Sequence, residues 1–100
     1  LSSPPTAIFA CNDLMAIGAL KAVREAGLSV PEDISLIGHD NIEMTSYTQP
    51  ALTTISQPVE ELASTAIQLL MERIEQPGLA PRRIVLANQL VVRQSTRSIK

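Results

Sequence analysis

Aromatic side chains are almost missing from this chain: Phe9 and Tyr47 are the whole complement. Two aromatics cannot build the platform on which proteins stack single-stranded bases, so that mode of nucleic-acid binding is excluded for this segment. Cysteine is as scarce. Cys11 stands alone, which rules out an internal disulfide and fits a reducing compartment. With His39 as the single histidine, no zinc site can close, and no acidic loop has calcium spacing, so no metal or other cofactor is expected. Gly27 and Gly38 are isolated and belong to neither a P-loop nor a dinucleotide fingerprint. No apolar run approaches the roughly 20 residues of a membrane span, so no membrane partner is expected. The chain opens at Leu1 without a methionine or a basic-then-apolar leader. It reads as a piece of a larger protein.

What is present is the composition of an ordinary globular protein, 45% hydrophobic and 18% charged with net charge −2. The charge is unevenly spread. All ten acids lie between Asp13 and Glu75, while Arg82, Arg83, Arg93, Arg97 and Lys100 crowd the end. Such an end is either a phosphate-binding tail or a solvated terminus, and the second is the ordinary case.

The most informative stretch is 34–40, reading ISLIGHD. Its apolar start has the pattern of a strand buried on both faces of a parallel sheet. Gly38 allows a sharp turn. His39, Asp40 and Asn41 then fall just past the strand, where open α/β sheets hold their ligands. Upstream, residues 7–11 read as a buried strand. Asn12 or Asp13 caps a helix running to Ala26, and Gly27 suits its C′ position. Ala16, Ala19, Leu20, Val23 and Ala26 share the face expected to lie on the sheet. Leu14 and Ile17 fall off that stripe, as a partner surface or as two singly exposed side chains. Strand, helix and strand over some thirty residues make one βαβ unit.

Residues 41–49 are polar and irregular, with room for one helical turn. A short extended piece follows at 52–55, and Pro58 opens a second helix that Gln76-Pro77-Gly78 ends. Val59, Leu62, Ala63, Ala66, Ile67, Leu69, Leu70, Met71 and Ile74 cover more than half of that helix. So wide a stripe implies burial against two neighbours. A last strand is expected at 84–87, continuing through 90–92.

The residues offer little for catalysis. Cys11, Ser46 and Ser56 are conceivable nucleophiles with His39 as base, but no nucleophile elbow surrounds a serine. His39 and Asp40 are adjacent, and neighbours at a strand end usually diverge, so adjacency is no evidence for an orienting hydrogen bond. The chain is read as not an enzyme. Asp13 beside the first strand's end would repel an anion at that helix N-terminus. The fitting guest therefore carries neutral donors that face amide and carboxylate acceptors: a sugar, a nucleoside or a purine. Against this stand plainer roles, namely a helix cap for Asn12, a turn residue for Asp40 and a loop residue for Gln57.

Three blocks share a further pattern: PTAIFACNDLMAIGAL at 5–20, VPEDISLIGHDN at 30–41 and PALTTISQP at 50–58. In order and spacing they resemble the lactose/galactose-repressor family of bacterial regulators, and LVVRQST at 90–96 is similar to its closing strand. The resemblance implies an α/β, periplasmic-binding-protein-like fold of two lobes, of which this chain holds the C-terminal portion. Residues 1–55 and 84–100 would lie in the C-terminal lobe, and 57–77 would cross to the N-terminal lobe. By the same resemblance Asp40, Asn12 and Gln57 contact a small effector. Leu14, Ile17, Met44, Tyr47 and Thr48 would face a second copy in a homodimer, or in a tetramer built from it. One departure stands out: His39 occupies a position often aromatic in the family.

The implied function is a cytoplasmic, ligand-responsive repressor that holds operator DNA through a helix-turn-helix headpiece absent from these residues. The alternative is a periplasmic sugar-binding protein of a transport system. That reading has to explain apolar side chains off the core stripes of what would be a monomer.

Overall fold

Two neighbouring strands and the helix between them form the frame. In a computed structural model that describes residues 3–99, β1 (Ala7–Phe9) pairs in parallel with β2 (Ser35–Ile37), Ala7 opposite Ser35 and Phe9 opposite Ile37. Helix α1 (Asp13–Glu25) makes the crossover. It starts where Asn12, in extended conformation, accepts the Met15 N–H on its side chain at 2.9 Å. It stops at Gly27, whose φ of +79° lets the Gly27 and Leu28 N–H groups turn back to the Arg24 and Val23 carbonyls. Those two bonds satisfy carbonyls that a helix end otherwise leaves open.

Ala16, Leu20 and Val23 on α1 meet Ala10, Val30, Ile34, Leu36 and Leu52 in one buried cluster, with Ile8, Ala19 and Leu28 packed against it. Leu36 is wholly inaccessible, a burial that stabilises by about 1.5–3 kcal/mol. The expected burial of the second strand is met at Ser35 and Leu36, with Ile37 half-buried. Its far edge continues the sheet through parallel bridges from Ile37 to Thr53 and from Asp40 to Ser56. There β3 (Thr54–Ser56) runs antiparallel to β4 (Gln89–Val91). Beyond β4 the chain returns to β2, with the Leu36 N–H donating to the Ser95 carbonyl at 2.8 Å and Ser95 Oγ donating back to the Leu36 carbonyl.

The described residues divide into two compact units, 3–56 with 89–99 and 57–88. The second holds α2 (Val59–Glu75), preceded by Pro58 and ended at Gln76. Residues 79–82 lie against it, with Arg82 paired to Glu72 at 2.5 Å.

Several expectations fail. Residues 7–11 are not a buried strand: β1 is short and Phe9 is 61% exposed, because β1 forms one edge of its ladder. Ala26 is exposed, since it sits at the cap beyond the last packed turn. Residues 84–87 form no strand, having no ladder partner among the described residues. No residue of the wide apolar stripe of α2 is fully buried: Leu69, beside residues 79–82, is half-buried and the others are exposed. Leu1, Ser2 and Lys100, counted above in the opening loop and the basic end, lie outside the described residues.

Candidate functional site

The site is built at the carboxyl edge of β1 and β2. Because the two strands are parallel and adjacent, Asn12 and Asp40 leave the sheet at the same edge. The connection is direct: the Asp13 N–H donates to the His39 carbonyl at 2.9 Å, and the Asp40 N–H donates to the Ile55 carbonyl at 2.9 Å. The turn that presents Asp40 is unusual. Asp40 has φ +119° and Asn41 has φ +60°. Asparagine tolerates the left-handed region, but an aspartate at +119° costs on the order of 1–3 kcal/mol unless its surroundings hold it.

The residues after Asp40 are anchored through Asp13. This carboxylate is buried at the first position of α1. Its Oδ1 accepts from Thr54 Oγ1 at 2.6 Å and its Oδ2 from the Ile42 N–H at 2.8 Å. Thr54 Oγ1 also lies 3.3 Å from the Asn41 nitrogen, which donates to it. One carboxylate therefore joins the helix start, the turn after Asp40 and β3. Gly38 makes this possible. A methyl group there would overlap Asp13 Oδ1 and press on Leu52 Cδ2 at 3.1 Å and Ala16 Cβ at 3.3 Å.

The positive φ at Asp40 also overturns an expectation drawn from strand alternation. Its carboxylate Oδ1 accepts from His39 Nδ1 at 3.1 Å, the turn having folded the side chain back beside the ring. The His39 side chain is 28% accessible and that of Asp40 42%, so both reach the surface of the site. Asn12 is a helix cap, as its plainer reading required. Gln57 belongs to the other compact unit. Of the conceivable nucleophiles, Ser46 is engaged with the Glu43 carbonyl in its own turn. Among the described residues no group of three or more histidine, cysteine or acidic side chains could hold a metal ion.

After Asp40 the chain forms a single 3-10 turn, Glu43–Ser46, as the polar stretch allowed. Met44 and Tyr47 are exposed there, and Tyr47 donates to Glu43 Oε1 at 3.1 Å. Leu14 on α1 is 66% exposed, with Met15 beside it. Ile17 and Thr48 are half-buried and share a shallow groove of about 270 Å³ with Leu20, Lys21, Arg24, Glu25 and Gln49. Ile17 of the off-stripe apolar pair is thus brought beside the loop that follows the site.

At two positions the basic end is tied to the fold by hydrogen bonds, Arg93 half-buried and Arg97 still exposed to solvent. Arg97 donates to the Pro31 and Glu32 carbonyls. Arg93 reaches Asn41, Thr45 and Leu52. Reading along the chain names Arg93, Arg97 and Asp13 but none of these long-range bonds, and gives Thr45 and Thr54 no part in the site. The one local signal for Arg93 was a cation placed directly after the apolar run 90–92.

A periplasmic binding protein-like domain model matches residues 1–96. The ribose operon repressor of Haemophilus influenzae is 43% identical over 99 residues, covering 99% of this chain and 30% of that protein. The HTH-type transcriptional repressor PurR of Pasteurella multocida is 48% identical over 94% of this chain and 28% of its own length. Among solved structures, a LacI family transcriptional regulator from Enterococcus faecalis V583 with bound ribose superposes with a TM-score of 0.87. It is 46% identical over 98% of this chain and 37% of that one. The chain belongs to the periplasmic binding protein-like domain family, as a part of the effector-binding domain of regulators of the lactose/galactose-repressor type. It spans less than a third of the length of these curated relatives.

The fold is accordingly α/β and periplasmic-binding-protein-like, with only part of the domain present. The relatives named are transcriptional regulators rather than enzymes or transport proteins.

Proposed function

We propose that the whole protein is a cytoplasmic, ligand-responsive repressor and that this segment supplies part of its effector site and of its dimer contact. The observation that carries the reading is the common edge of β1 and β2, from which Asn12 and Asp40 emerge. An amide and a carboxylate there suit a ligand rich in hydroxyl groups, and carboxylates bond such groups strongly. Gln57, after β3, is assigned as a further contact on the strength of the family resemblance alone. The kinship with a ribose operon repressor and a ribose-bound regulator makes ribose the first ligand to try. A nucleoside or purine is the next class.

In this reading residues 1–55 and 84–100 serve the C-terminal lobe, and 57–77 cross to the N-terminal one. Leu14, Ile17, Met44, Tyr47 and Thr48 contact a second copy. Operator DNA is held by a helix-turn-helix headpiece outside these residues. Effector works by binding one lobe arrangement more tightly than the other, which shifts the population able to hold DNA.

Calorimetric titration of the full-length protein with ribose tests the site. Replacing Asp40 with Ala is expected to cost about 1.5–3 kcal/mol of binding, roughly 10- to 150-fold in Kd. An unchanged affinity removes Asp40 from the site. Sedimentation at micromolar concentration tests the dimer, and a monomer there overturns that part of the reading.

A further inference from the structure

We propose that Arg93 is a positioning residue: it holds the Asp40–Asn41 turn in its binding shape and locks that turn to the Glu43–Ser46 turn. The proposal rests on the reading that Asp40 contacts effector. Arg93 follows β4, more than fifty residues from Asp40 in sequence. Its N–H donates to Thr53 Oγ1 at 3.0 Å, which fixes its backbone against the strand. The two arms of its guanidinium then divide. Nη2 donates to Asn41 Oδ1 at 2.9 Å, on the residue that follows Asp40 and itself has positive φ. Nη1 donates to Thr45 Oγ1 at 2.9 Å and to the Leu52 carbonyl at 2.8 Å.

Thr45 is fully buried in the 3-10 turn. Its hydroxyl accepts from Arg93 and donates a hydrogen bond to the Ile42 carbonyl at 2.7 Å. The Ile42 N–H in turn bonds the buried Asp13. Two charged side chains thus hold residues 41–45, Asp13 from α1 and Arg93 from the returning chain. A planar guanidinium can hold both turns at a fixed spacing, which a single ammonium cannot. The turn so fixed carries Met44, with Tyr47 and Thr48 just beyond it, so a shift at Asp40 is delivered to the segment assigned to the dimer contact.

Amide hydrogen exchange on the full-length protein, with and without ribose, tests this. In the unliganded protein Arg93→Met is expected to speed exchange at the Ile42, Thr45 and Tyr47 amides together, by about tenfold or more, while the interior amides of α1 stay unchanged. Arg93→Lys should give a smaller effect at the same amides. Exchange that rises only beside residue 93, or equally across α1, overturns the inference. Ribose affinity is expected to fall by about tenfold in R93M and to recover partly in R93K. Unchanged affinity in both variants overturns the positioning role. If R93M does not fold, R93K carries the same comparison. If the wild-type protein binds no ribose, the effector reading fails instead, and the unliganded exchange pattern alone decides for or against Arg93.

Discussion

Helices α1 and α2 both carry apolar stripes, the wider on α2, and the two differ in burial. Ala16, Leu20 and Val23 of α1 are buried against β2 and Leu52. Val59, Ile67, Leu70 and Ile74 of α2 are all more than half exposed. The difference lies in the partner. An amphipathic stripe states that a surface is available for burial, and a second apolar surface has to be present before any free energy follows. α1 finds one because the strands on either side of it in sequence pair with each other. The apolar face of α2 meets only residues 79–82, beside Leu69, and its larger part stays exposed. In a chain that spans under a third of its curated relatives, such a face is where the rest of a domain would be sought.

That contrast can be broken at its stronger side first. Leu36→Ala should destabilise this chain by about 2–5 kcal/mol in a denaturant titration, the cost of a cavity in a closed core. Ile67→Ala in α2 should cost under about 1 kcal/mol in the same experiment. Equal losses would mean that the face of α2 is covered after all.

The next largest effect is expected at the site. Gly38→Ala forces a methyl group onto Asp13 Oδ1 and should cost about 2–3 kcal/mol, read as a fall in melting temperature. Asp13→Asn should cost about 1.5–3 kcal/mol, because an amide offers one acceptor where Thr54 and the Ile42 N–H each need one. If that variant keeps wild-type stability, the turn after Asp40 is held by something other than Asp13.

At the small end stands Lys21→Ala. It breaks a 3.8 Å pair with Glu25 on the solvent side of α1 and should move stability by less than about 0.5 kcal/mol. A larger loss would show that this side of α1 is engaged, as the dimer reading of the neighbouring Ile17 and Thr48 groove would have it.

Legibility along the chain follows the same division. Residues 34–38 were readable because a strand buried on both faces is apolar at consecutive positions and a glycine marks its end. The limits of α1 were readable because caps are local: Asn12 bonds three residues ahead, and Gly27 acts within its own turn. Hydrophobic periodicity likewise located α2. It could not tell whether the stripe is covered, since that depends on surfaces elsewhere. The expected strand at 84–87 failed for a related reason, because β-propensity becomes a strand only when a ladder partner is present.

By itself, then, the sequence determined which residues would form the βαβ frame and that Asn12 and Asp40 would stand at strand ends, because those features depend on neighbours within a few positions. The tertiary structure alone decided how Asp40 is presented. Asp13 binds partners 29 and 41 positions away, and Arg93 binds partners 41, 48 and 52 positions away. No periodicity records such distances. The strained turn at Asp40 exists because those long-range hydrogen bonds, formed only when the sheet closes, outweigh the local preference of an aspartate for negative φ.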